Sequence, residues 1–599
     1  MPEAVYTTAK TLAASVLEES SMTRVFNDPS NFALEAVSGM ASAYPQYLKT
    51  VHGGAVRATA SPEGQVALIV GGGSGHYPGF AGWVGPGMAH GVVCGNVFAS
   101  PSASQAYSVA KAADNGGGII IGYGNYAGDV LHFGQAAERL RAEGYDVRTI
   151  EVSDDVASGP AEELRKRRGV CGDVVVFKIA GAAAERGKNI DQVTQLAWRA
   201  NDRTRSLGVA FGGCTLPGAD EPLFTVPEGQ MSVGLGVHGE PGVYEVPMGT
   251  ATEIADLLVD GVMKETIDLA TDGFNGNAIV LLNGLGTVKY EELYVIWNRV
   301  AERLAEAGIT PVLPEVGELM TSLDMAGVSL TITFLDDELE DLWRDPVDTI
   351  ALRRGAVAER AEREVRDEGE QAAPPITPGS EASQALAAEI VKGLEIIKQV
   401  TVDKEPELGK LDAIAGDGDH GQGMRFGATG ALEAAKDAAA QQAGAGTLLV
   451  RAGAQWSESA GGTSGALWGC ILNAFGNALG DQDAATGQTV ATGVHDAVDA
   501  VQRLGGAKPG DKTLVDALVP FTETLTAKVN DGVALPEAWK QATDAAQAAA
   551  DDTANFVSKL GRSHVLGEKS IGVADPGAIS FCMLMSALGE AGLFDCTTD

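Results

Sequence analysis

The chain has 599 residues, 45% hydrophobic and 21% charged, a globular composition too long for one hydrophobic core. Its formal charge of −37 repels nucleic acid and anionic membrane, so an anionic substrate must be met by a bound cation, helix N-termini or backbone amides. No apolar run reaches the ~18 residues of a membrane span, no export signal opens the chain, and the scattered cysteines form no CxxC pair; the expectation is a cytoplasmic protein without structural zinc or disulfides.

Residues 1–21 read as a weakly amphipathic lead, with Met22 a second candidate start, and the globular pattern begins near Val25. Up to about residue 190, apolar β-rich runs alternate with Ala-rich helical stretches, which predicts a mostly parallel sheet covered by helices. Residues 66–70, 118–121 and 174–177 are predicted as buried strands, each leading into a Gly-rich turn. A second α/β unit is expected over 191–355, with its clearest strands at 279–282 and 330–334. The two subdomains, about 22–190 and 191–355, form one unit of residues 22–355. Residues 356–381 hold a mixed-charge run and a Pro-rich connector and read as a linker. Beyond it, over 382–599, the β signal fades and Ala-rich segments such as 431–443, 491–504 and 538–559 predict an all-α domain.

Chemistry concentrates in a few loops. Asp412, Asp417 and Asp419 stand five and two residues apart among glycines, with no basic residue between them. Crowded carboxylates repel, and a hard cation such as Mg²⁺ or Ca²⁺ relieves them; a solvated acidic turn is the alternative, while the EF-hand spacing is absent. Gly71-Gly72-Gly73-Ser74-Gly75-His76 follows the strand at 66–70. Its glycine amides suit an oxyanion or a small ligand, and a structural turn is the alternative. It matches neither the P-loop nor the dinucleotide fingerprint, but His76 stands at a strand's carboxyl end, where open α/β sheets bind ligands. Asp129 follows the strand at 118–121 and is placed either as a helix N-cap or as a general base for a hydroxyl. His238 lies between glycines, which leaves its imidazole unshielded toward a ligand.

Nine stretches together resemble the ATP-dependent dihydroxyacetone kinases: 71–76, 94–102 (CGNVFASPS), 125–129, 178–185 (KIAGAAAE), 236–242, 320–330 (MTSLDMAGVSL), 412–424, 461–469 (GGTSGALWG) and 575–580 (DPGAIS). They run in the family's order from about residue 25 to the C-terminus. The resemblance implies a ketose-binding unit of two α/β subdomains followed by an all-α antiparallel helical barrel that binds the nucleotide. It implies that His238 holds the substrate carbonyl as a hemiaminal, which selects small carbonyl compounds over plain polyols. Asp129 would accept the proton of the attacking hydroxyl, His76 would bond the carbonyl region, and Gly72 and Gly73 would supply backbone contacts. Asp412, Asp417 and Asp419 would hold two Mg²⁺ bridging the ATP phosphates. His420, Gly461, Gly462, Thr463 and Ser464 would bind the phosphates, and Asp575, Pro576 and Gly577 would form the adenine-side loop. A homodimer with exchanged helical domains is implied as well.

The departures from the family pattern cluster around the ketose loops. Tyr77-Pro78 stands for Glu-Pro, Gly79-Phe80 for a small-His pair, Gly124 for a Lys, Ala127 for a Thr and Asn96 for an Asp; Gly561-Arg562-Ser563-His564-Val565 departs near the end. Retained kinase chemistry with an altered acceptor, a four-carbon ketose such as erythrulose, is the expectation. The rivals are a phosphoenolpyruvate-relay phosphotransferase with fixed nucleotide, a non-catalytic ketose-binding coregulator, and a Mn²⁺-dependent cyclase side activity on FAD.

Overall fold

The computed structural model describes residues 23–265, 273–365, 374–416, 418–561, 564 and 570–592. Asp417, Arg562, Ser563, Val565 and the lead 1–21 lie outside them.

The first unit is built on a six-stranded sheet in the order Leu48–Val51, Gly54–Arg57, Gly91–Val97, Ala67–Ser74, Ile119–Gly124, Val147–Val152. The last four are parallel neighbours and the first two form an antiparallel hairpin. The apolar runs at 66–70 and 118–121 are its central strands, buried on both faces, as parallel strands under helices must be. The second unit carries a mixed sheet in which Gly327–Phe334 runs antiparallel to both of its neighbours, Asn277–Gly284 and Thr204–Ala210, and the first two of these strands contain the runs at 330–334 and 279–282.

Residues 174–177 overturn one expectation. They belong to the helix Gly172–Glu185, not to a strand, and from Gly172 to Ala184 that helix is buried throughout. It packs in one core with residues of both sheets, among them Leu68 and Val70 of the first and Ile279 and Leu281 of the second. A helix covered on every side needs no polar stripe, and a short apolar run then reads like a buried strand.

Part of the predicted linker is tied down. Ala60 N–H donates to Ala361 O and Arg363 N–H to Ala58 O, both at 2.8 Å. The Arg363 guanidinium donates to Ala112 O at 2.9 Å and to Asn115 Oδ1 at 2.5 Å, while Arg360 pairs with Glu185 at 2.5 Å.

The described part of 374–592 is helical, with eight helices from Glu381–Ala415 to Pro576–Glu590. Consecutive helices pack on one another, and Pro576–Glu590 also packs on Glu381–Ala415. The Ala- and Gly-rich sequence permits close approach: a side chain on Gly453 would stand 2.8 Å from Gly469 O of the next helix. No described helix is long and apolar enough to cross a membrane, and Cys94, Cys171, Cys214, Cys470 and Cys582 are free thiols.

Candidate active site

Three neighbouring parallel strands of the first sheet deliver their carboxyl ends to one place. Ala67–Ser74 ends in Gly72, Gly73 and, just beyond, His76; Gly91–Val97 runs into Phe98, held at φ 57°; Ile119–Gly124 leads through Tyr126 into the helix Ala127–Ala142, whose first turn carries Asp129. The loop after Gln230–Val233 of the second sheet brings His238 across. His238 meets His76 edge to face at 4.6 Å between ring centroids and Tyr126 at 4.3 Å, and Phe98 stacks on His76 at 5.2 Å. His76, Asp129 and His238 are all buried.

The His76 tautomer follows from its partner. Its Nδ1 lies 3.0 Å from Thr321 O, and a carbonyl only accepts, so Nδ1 carries the proton. In the neutral ring this leaves Nε2 as the acceptor. Gly72 has no room for a side chain: a Cβ there would stand 2.9 Å from the Phe80 ring and 3.8 Å from Asp129 Oδ1. A Cβ on Gly73 would meet Ala99 N and Phe98 C at 2.8 Å. The departing residues Tyr77 and Phe80 line a mostly apolar cavity of about 210 Å³ that shares Gly72 and Gly73 with this site.

On the helical unit, His420 gathers three separate stretches. Its backbone N–H donates to Asp412 Oδ2 at 3.1 Å, and its ring lies 3.2 Å from Ser464 Oγ and 2.8 Å from Ser580 Oγ. Burial lowers the His420 pKa. Gly461 and Gly462 turn the chain between two helices at φ 60° and 58°, and Thr463 and Ser464 open the second of these. Asp575 caps the helix Pro576–Glu590 by accepting from Ala578 N–H at 2.7 Å, and burial pushes its carboxyl up to about 7. Gly577 lies beside it, where a Cβ would stand 3.1 Å from Asp575 Oδ1.

Asp412 ends the long helix Glu381–Ala415 and Asp419 precedes His420–Ala440. Burial, with the charges of Asp412 and Glu240, pushes the Asp419 carboxyl up to about 8. Carboxylates that cannot all ionise unaided fit a hard divalent cation held by oxygen donors. Among the described residues no set of three such side chains is gathered; Asp417, expected between them, lies outside these residues.

The two halves meet. Gly462 N–H donates to Ser100 O at 3.1 Å, and His132 Nε2–H donates to Gly462 O at 2.9 Å. A side chain on Gly128 would stand 3.1 Å from Thr463 N, so the glycine turn abuts the residue next to Asp129. All these contacts form within one chain. Ser100, His132, Phe98, Tyr126 and Glu240 were not singled out from the sequence, although all but His132 lie inside the stretches that carried the resemblance.

An acceptor-side loop system and an acid-and-glycine loop system, on separate units and facing each other, define a two-part phosphotransferase of the alcohol-acceptor class. The Dak1 domain model matches residues 38–351 and the DAK2 domain model residues 414–590. The chain is 57% identical to the L-erythrulose 1-kinase of Mycolicibacterium smegmatis over 95% of this chain and 99% of that one. It is 53% identical to the L-erythrulose kinase of Pectobacterium atrosepticum over 96% of this chain and 98% of that one. Among solved structures it is similar to the dihydroxyacetone kinase of C. freundii in its native form, with 30% identity, a TM-score of 0.50, and coverage of 95% of this chain and 100% of that one. The chain belongs to the dihydroxyacetone kinase family.

Proposed function

We propose that the protein is an ATP-dependent kinase that phosphorylates a terminal hydroxyl of a short-chain ketose, with a tetrulose such as L-erythrulose preferred over dihydroxyacetone. The observation that carries this reading is the abutment of the Gly461–Thr463 turn on Gly128, beside Asp129. In this reading the turn that meets the phosphates lies beside a carboxylate that takes the hydroxyl proton. The names of the two erythrulose kinase relatives support the acceptor, and so does the clustering of Tyr77 and Phe80 around a cavity next to Gly72 and Gly73.

In this reading the ketose carbonyl is bound to His238, whose ring is held on three sides by His76, Tyr126 and Phe98. His76 Nε2 accepts from a substrate hydroxyl, and the Gly72 and Gly73 backbone lets the ketose approach closely. Asp129 takes the proton of the terminal hydroxyl as that oxygen attacks. Asp412, Asp417 and Asp419 would hold two Mg²⁺, which neutralise phosphate charge when bound. The Gly461, Gly462, Thr463 and Ser464 turn and His420 orient the phosphates, and Asp575, Pro576 and Gly577 border the adenine. Transfer is then mainly positioning, which an acidic protein achieves through backbone amides and cations.

A homodimer with exchanged helical units belongs to the same reading; it would make the Gly462–Ser100 and His132–Gly462 contacts between chains. A cytoplasmic location goes with the free thiols and with the need for ATP. ATP consumption dependent on a C3 or C4 ketose tests the proposal, and its absence with every such ketose would refute it.

A further inference from the structure

Glu240 follows His238 by two residues and is held beside it. This side chain is 3% exposed. Its Oε2 accepts the backbone N–H of His238 at 2.8 Å, and its Oε1 lies 3.7 Å from His238 Nδ1. One carboxylate thus fixes the backbone and faces the ring. Arg168 stands nearby: a Cβ on Gly236 would be crowded by the Glu240 carboxylate and by Arg168 Nη1 together. Arg168 donates from Nε and Nη2 to Asp155 Oδ2 at 2.9 and 2.7 Å, and from Nη2 to Gly234 O at 3.1 Å, at the start of the His238 loop. Burial alone would lower the Arg168 pKa, but the charges of Asp155 and Glu240 hold it above the usual guanidinium range. Asp155, Arg168 and Glu240 are thus a buried, electrostatically coupled group that reaches from the first unit into the His238 loop of the second.

We propose that Glu240 is a positioning residue for His238: its carboxylate holds the Nδ1–H tautomer, aims the Nε2 lone pair at the ketose carbonyl, and offsets the charge that the ring acquires. The inference rests on the hemiaminal reading of His238. In the step it serves, the Nε2 lone pair forms the C–N bond and the carbonyl π pair passes to oxygen, which takes a proton from water. The ring becomes cationic and keeps Nδ1–H against Glu240. A carboxylate behind an imidazole serves in this way wherever a histidine must present one chosen nitrogen.

The test uses the full chain and dihydroxyacetone carrying carbon-13 at its carbonyl. Adduct formation is read by NMR as passage of that carbon from the ketone to the tetrahedral region, for wild type, Glu240→Gln and Glu240→Asp, with kcat and KM measured alongside. Wild type is expected to form the adduct. Glu240→Gln, folded by its melting curve, is expected to lose it at least tenfold and to lose about 10–100-fold in kcat/KM, mostly through KM. Glu240→Asp, which keeps the charge but shortens its reach, is expected between the two. Undiminished adduct in Glu240→Gln overturns the positioning role and leaves the His238 reading standing. Should Glu240→Gln not fold, undiminished adduct in Glu240→Asp overturns it equally. No adduct in wild type removes the His238 reading and this inference with it.

Discussion

Gly462 N–H donates to Ser100 O at 3.1 Å, joining the glycine turn of the helical unit to the loop after the strand Gly91–Val97. Through this bond and the neighbouring His132–Gly462 contact, the two candidate half-sites become one.

Gly461 leaves no room for a side chain. Gly461 holds φ 60°, and a Cβ there would sit 2.5 Å from Ser100 O. Gly461→Ala combines backbone strain with a clash at the junction. We expect kcat to fall by at least about tenfold, corresponding to about 1.4 kcal/mol of barrier. Ketose binding to the α/β unit should persist, as read by calorimetry without nucleotide.

Asp129→Asn removes the base and keeps the shape. The expected loss in kcat is about 10²–10⁴-fold, with KM for the ketose changed much less. Steady-state kinetics at saturating ATP separates the two; a loss confined to KM would assign Asp129 to binding instead.

Asp419 provides a pH signature. Its carboxyl, raised from 3.8 to about 8 by burial and by Asp412 and Glu240, holds more protons in the folded state than in the unfolded chain across that window. Stability without divalent cation therefore falls as pH rises from about 4 toward 8. Melting curves in EDTA should show this decline, and excess Mg²⁺ should flatten it. Asp419→Asn should flatten it in EDTA as well and abolish most turnover.

Tyr77 and Phe80 test acceptor choice. Restoring the family's residues with Tyr77→Glu and Phe80→His should shift the ratio of kcat/KM values from erythrulose toward dihydroxyacetone by about 10-fold or more, since one carbon in a pocket is worth about 1–3 kcal/mol. An unchanged ratio would make these residues neutral to specificity.

Much of this was legible in the sequence, for identifiable reasons. Long apolar runs ending in glycine marked the strands Ala67–Ser74 and Ile119–Gly124, and Ala-rich periodicity marked the helical half. Residues 174–177 misled because burial on all sides erases the polar stripe that separates a helix from a strand. The docking of residues 360–363 on the first unit was illegible, since the partners Ala58, Ala112, Asn115 and Glu185 are remote in sequence. For the same reason His420 could be chosen from its neighbours, but not its bridge to Ser464 and Ser580. Glu240 was visible two residues after His238, yet only the fold shows it facing the ring.

The most direct test of the account is a coupled ATP-to-ADP assay with Mg²⁺, comparing dihydroxyacetone, both erythrulose enantiomers, glyceraldehyde and glycerol, for wild type and His238→Ala. The account predicts turnover of one erythrulose enantiomer ahead of dihydroxyacetone, none of glycerol, and a severe loss in the variant. Turnover of glycerol, or a His238→Ala protein as active as wild type, would contradict it.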